Sequence, residues 1–71
     1  MGVEELAERL SAIAEELGDL AFERLREASG SGHDDGVLVA ALVAQEKRIT
    51  RARRAVEKAA TLLRAAEMTD G

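Results

Sequence analysis

The side chains that could do chemistry fall into four groups. His33, Asp34 and Asp35 stand together in one stretch. Imidazole and carboxylate are metal-ligand types, yet consecutive loop residues rarely converge on one ion, and no other histidine and no cysteine completes a set. The alternation of acidic oxygens around a glycine that makes a calcium loop is missing too. These residues read as a polar turn in which Asp34 or Asp35 caps a helix, and no metal is expected. The second group is Gly30-x-Gly32 followed by Gly36. A phosphate-cradling loop needs a strand before it and usually a lysine after it, and neither is present. Third come the carboxylate pairs Glu4-Glu5 and Glu15-Glu16. They belong to an exposed helix with no cleft to shift their titration. Serine, threonine and histidine form no nucleophile arrangement either, so neither catalysis nor a cofactor is expected.

The fourth group is basic: Lys47, Arg48, Arg51, Arg53, Arg54 and Lys58. Phosphate backbones are held by cations sharing a face, and Lys47, Arg51, Arg54 and Lys58 do share one at helical spacing. Arg51, Arg53, Arg54 and Lys58 are therefore the residues for a nucleic-acid contact, should there be one. Against it stand a net charge of −4 and the absence of aromatic residues among the cations to stack on bases. The acids elsewhere offer another use for these charges. Residues 3–29 carry eight acidic and three basic side chains, whereas 36 to the end carry seven basic and four acidic. If the two segments lie antiparallel, Lys58 comes level with Glu8, Arg51 and Arg54 with Glu15 and Glu16, and Lys47 with Asp19. Such ion pairs would fix register and orientation.

Whatever positions these groups must be helical. Charged residues of both signs make up 34% of the 71-residue chain, proline is absent and Phe22 is the only aromatic, a composition of long helices. Ala7, Ala14, Ala21 and Ala28 recur every seven residues, as do Ala52, Ala59 and Ala66, with Gln45 and Leu38 continuing the second row backwards. A seven-residue repeat returns to nearly the same helical face, so each row is a small-residue seam. Folding at about residue 33 sets 7 opposite 59, 14 opposite 52, 21 opposite 45 and 28 opposite 38. The expected fold is all-α: one antiparallel two-helix hairpin with an Ala-rich heptad seam, a helix over 3–29, a loop over 30–35 and a helix over 36–68. Gly30 would end the first helix in the left-handed conformation, and the last turn or two of the second would overhang the first. Gly18, inside the first helix, costs roughly 1 kcal/mol relative to alanine and marks either a close contact or a tolerated defect.

A chain this short has a marginal core unless something else adds burial. The run Val37 to Ala44 is apolar on every side, while one partner helix covers only one side. Phe22, Leu25 and Ala28 lie level with it. Phe22, Leu25, Val39 and Val43 are accordingly the expected protein interface, joining two hairpins into a homodimeric four-helix bundle or meeting an unidentified protein partner. No stretch approaches the roughly 18 apolar residues of a membrane span. Neither a secretory leader nor a myristoylation signal is read at the N-terminus. The expectation is a cytoplasmic, non-catalytic interaction module or small accessory subunit. The competing class is a nucleic-acid-binding hairpin dimer.

Overall fold

The computed structural model describes residues 2–30 and 35–68. Helix α1 spans Val3–Gly30 and helix α2 spans Gly36–Met68. They pack against each other as a hairpin 60 Å long and 14 by 13 Å across. Among the described residues there is no strand, and no helix is long and apolar enough to cross a membrane.

The helix ends follow from local chemistry. At the start of α1 the Leu6 N–H donates to the Gly2 carbonyl at 3.2 Å, and Glu4 and Glu5 place negative charge on the first turn, where the helix dipole favours it. Asp35 is the N-cap of α2. Its Oδ1 accepts from the Leu38 N–H at 3.0 Å and its carbonyl from the Val39 N–H at 3.1 Å. Asp34 and His33, considered for capping and for a metal, lie outside the described residues. Gly30 departs from expectation: it is the last residue of α1 and its φ is not in the left-handed region. The helix simply runs one residue further, so its reversal is not made at Gly30.

The contact stripe of α1 is Val3, Ala7, Leu10, Ala14, Leu17, Ala21, Arg24 and Ala28, alternating steps of four and three; each is buried or half-buried. Ala7, Ala14 and Ala21 are the most enclosed. The alanine row of α1 is therefore where the repeat placed it. The row of α2 is not. Ala52, Ala66 and Gln45 are exposed, Leu38 is largely exposed and Ala59 is only half-buried. The residues turned inward are instead Val39, Leu42, Glu46, Ile49, Val56, Ala60 and Leu63, with Leu42 and Ala60 fully enclosed. Helix α2 is thus turned about its axis by up to one residue step, about 100°. The reason is area. Burying a leucine, isoleucine or valine is worth about 1.5–3 kcal/mol, against about 0.8 kcal/mol for one alanine methyl. Leu42, Ile49, Val56 and Leu63 meet the alanine groove of α1, and the turned orientation adds Val39 to them in place of Leu38 and sets Ala60 inward in place of Ala59.

Arg53 falls on this inward stripe, and Gly18 makes room for it. A Cβ built on Gly18 would stand 3.0 Å from Arg53 Nη1 and 3.2 Å from its Cζ. The guanidinium lies over Gly18 where a side chain would otherwise be, and its Nε donates to Glu57 Oε2 at 3.3 Å. Near the open end Arg64 reaches across to Ser11 Oγ at 3.1 Å and Glu4 Oε1 at 3.8 Å. Beyond it Ala65 and Ala66, off the inward stripe, are exposed.

Candidate interaction surfaces

The inward stripes divide the outside of the hairpin into zones. At the loop end, Phe22 is 62% exposed, Leu25 is 43% exposed, and Val39 and Val43 are half-buried. Leu25 and Val43 project from the same flank of the hairpin, with Phe22 further round the back of α1. A shallow cleft beside them is lined by Phe22, Leu25, Arg26, Ser29 and Gly30. Of the four residues expected to form an interface, Phe22 and Leu25 line this cleft together, and Val39 and Val43 are partly used by the hairpin itself. Val37, at 84% exposure, stands apart on the outer side of α2.

The second zone is the back of α2, where Lys47, Arg51, Arg54 and Lys58 are all exposed. Lys47, Arg51 and Arg54 line a groove with Glu46 and Thr50, and the Thr50 hydroxyl donates to Glu46 Oε2 at 2.6 Å. Arg53 is separated from this ridge by its position against Gly18, so the structure gathers Arg51, Arg54 and Lys58 but not Arg53. The ion pairs expected to set the register are not formed. Among the described residues the salt bridges are Arg24–Glu27, Arg53–Glu57 and Arg64–Glu4, of which only the last joins the two helices. Matching residues by level alone leaves out direction. Glu8, Glu15 and Asp19 point away from α2, as Lys47, Arg51, Arg54 and Lys58 point away from α1. One edge of the hairpin is acidic and the other basic.

The third zone is a surface that the sequence pattern alone did not mark. On α1, Leu6, Ile13 and Leu20 lie one position before the buried alanines, and Leu6 and Ile13 are 40% and 45% exposed. On α2, Leu38, Gln45, Ala52 and Ala59 stand in the same relation to Val39, Glu46, Arg53 and Ala60, and Ala66 continues their row seven residues on. In antiparallel helices, rows offset in the same sense from the contact stripe point to the same side. These rows therefore share one long face, as the bond from Arg24 Nε to Gln45 Oε1 at 2.9 Å across it indicates. Exposed Ala41, Ala55 and Leu62 widen it on α2, and a groove along α1 is lined by Ile13, Glu16, Leu17, Asp19, Leu20 and Glu23. The sequence did carry a signal: Leu6, Leu10, Ile13, Leu17 and Leu20 form a leucine-type stripe beside the alanine row, wider than one partner helix fills.

Among the described residues no three histidine, cysteine, aspartate or glutamate side chains gather as a metal site. No protein-family model, no characterised protein and no solved structure matches the chain.

Proposed function

We propose that this chain is a non-catalytic helical-hairpin interaction module, acting in the cytoplasm as a self-associating unit or small accessory subunit. Its mechanism is the display of helical surfaces to another chain. One such surface is the loop-end patch of Phe22, Leu25, Val39 and Val43. The observation that carries the reading is the amount of surface left uncovered. The hairpin exposes 5408 Å². A compact monomer of 7.6 kDa exposes about 4,300 Å². The excess includes seven large apolar side chains with exposures between 40% and 84%, while the enclosed core among the described residues is four alanines and one leucine. Two helices in contact have one shared interface and two open faces, and a further chain supplies what they lack.

Light scattering across a dilution series tests this directly. Particles of at least twice the chain mass at high concentration, dissociating on dilution, support self-association; a folded monomer at every concentration removes it. The basic ridge of Lys47, Arg51, Arg54 and Lys58 supports a second reading, a nucleic-acid contact, because all four side chains are exposed on one face. Titration with an oligonucleotide separates the two. Affinity that falls steeply between low and moderate salt marks the nucleic-acid reading, and no binding at low salt excludes it.

A further inference from the structure

The long side face has unlike halves. Helix α1 contributes the large row Leu6, Ile13 and Leu20, and α2, from its middle onward, the small row Ala52, Ala59 and Ala66 with Ala55 beside it, larger side chains standing only at Leu38 and Gln45 toward the loop and at Leu62 on the outer border. The large side chains are 40–45% exposed at Leu6 and Ile13, so they stand above the surface, next to the lower ground of the alanines. A flat partner would leave gaps over the alanines. A partner offering the same two rows in exchanged positions would not.

We infer that this face is covered by a second copy of the same chain, turned about a twofold axis parallel to the helices, so that α1 of each copy lies on α2 of the other. This rests on the self-association proposed above and adds which face joins the copies and in which orientation. Every neighbouring pair of helices is then antiparallel, as in an up-and-down four-helix bundle. The copies sit at the same height, so the levels within one hairpin also apply between the two. Leu6 of one copy comes over Ala59 and Leu62 of the other, Ile13 over Ala52 and Ala55, and Leu20 over Gln45 and Arg48. Ile13 enters the space left by Ala52 and Ala55, Leu6 seats over Ala59 beside Leu62, and Leu20 meets the stems of Gln45 and Arg48.

Charge favours the same arrangement. Glu16 and Glu23 border the large row at the outer edge of α1, and Arg48 borders the small row at the outer edge of α2; all three are exposed. In the dimer Arg48 lies between Glu16 and Glu23 of the other copy, within about one helical turn of each along the axis. The pairing occurs twice by symmetry. A twofold axis across the helices would instead set α1 on α1 and α2 on α2, crowding leucine against leucine and leaving alanine against alanine. The area is sufficient as well. The face shared by both helices is as long as the 28-residue α1, about 42 Å, and 14 Å wide, which removes on the order of 600 Å² per copy, the lower end of the range for stable interfaces. The loop-end patch lies on the other flank and stays open to a different protein.

The test uses the full chain and five exposed positions, so that the hairpin itself is spared; helicity by circular dichroism is followed throughout. Arg48→Glu weakens dimerisation by about tenfold or more, since each of four rim pairs becomes repulsive, and Glu16→Arg with Glu23→Arg in the same chain restores it. Ala52→Glu gives a helical monomer at concentrations where the parent is dimeric. Phe22→Asp leaves the dimer intact. A parent dimer that Phe22→Asp dissociates while Arg48→Glu and Ala52→Glu do not overturns the assignment of this face yet keeps self-association. A dimer broken by Ala52→Glu but indifferent to Arg48→Glu overturns the orientation. A parent that is monomeric throughout overturns both readings.

Discussion

Gly18→Ala is expected to stabilise the hairpin, although the space beside Gly18 is occupied. Alanine gains about 0.8–1.0 kcal/mol over glycine inside a helix, through lower conformational freedom of the unfolded chain. Against this, the new Cβ would meet Arg53 Nη1 at 3.0 Å, Cζ at 3.2 Å and Nε at 3.5 Å. These atoms are the far end of a flexible side chain that is 46% exposed, so the guanidinium can swing outward. What it loses is a packing contact and some of its pairing with Glu57, an exposed pair worth at most about 1 kcal/mol. The net gain is then about 0.5 kcal/mol, a rise in Tm of roughly 2–4 °C for a chain of this length. In an Arg53→Ala background the obstacle is gone and the same substitution yields its full value, about 1 kcal/mol or roughly 4–8 °C. Thermal and urea unfolding at one fixed chain concentration measure both, because association makes Tm concentration-dependent. Destabilisation in both backgrounds would refute the reasoning, since something other than the arginine would then be filling the space over Gly18.

Three further outcomes are expected. Ala14→Leu pushes the helices apart and costs about 1–3 kcal/mol by chemical denaturation, whereas Ala12→Leu, on an exposed position, changes stability by no more than about 0.5 kcal/mol. Asp35→Ala removes the acceptor for the Leu38 N–H and costs about 1 kcal/mol, most of which Asp35→Ser recovers because its hydroxyl can accept the same bond. The chain has no cysteine, so single-cysteine variants report on neighbours without interference. Ile13→Cys and Ala52→Cys chains, mixed and gently oxidised, form mixed disulfides in preference to like-with-like ones, as a non-reducing gel would show.

The two helices and the place of the turn were legible because local signals agreed: helix-forming composition, unbroken periodicity, and a glycine- and aspartate-rich break. The alanine row of α1 was legible for the same reason, since only one face of that helix alternates alanine with leucine. Helix α2 offered two adjacent rows, Leu38/Gln45/Ala52/Ala59 and Val39/Glu46/Arg53/Ala60, either of which can flank Leu42, Ile49, Val56 and Leu63. The alanines of the former row favoured it by analogy with α1. Glu46 and Arg53 give the latter row the composition of a solvent face. Arg53 can occupy the inward row because Gly18 opposes it, a complementarity between residues 35 positions apart that no local pattern contains. The ion-pair register failed for a related reason: level along an axis is read from residue number, but direction around it depends on the rotation of α2.

The methyl-lined seam of α1 has a thermodynamic consequence. Where helices meet through alanine, unfolding an isolated hairpin uncovers little additional apolar area. The heat-capacity increment should therefore fall below the roughly 12–15 cal/mol/K per residue of ordinary globular domains. Such a chain has a shallow, broad stability curve that loses little strength on cooling, and a calorimetric trace would carry that signature before any partner were known.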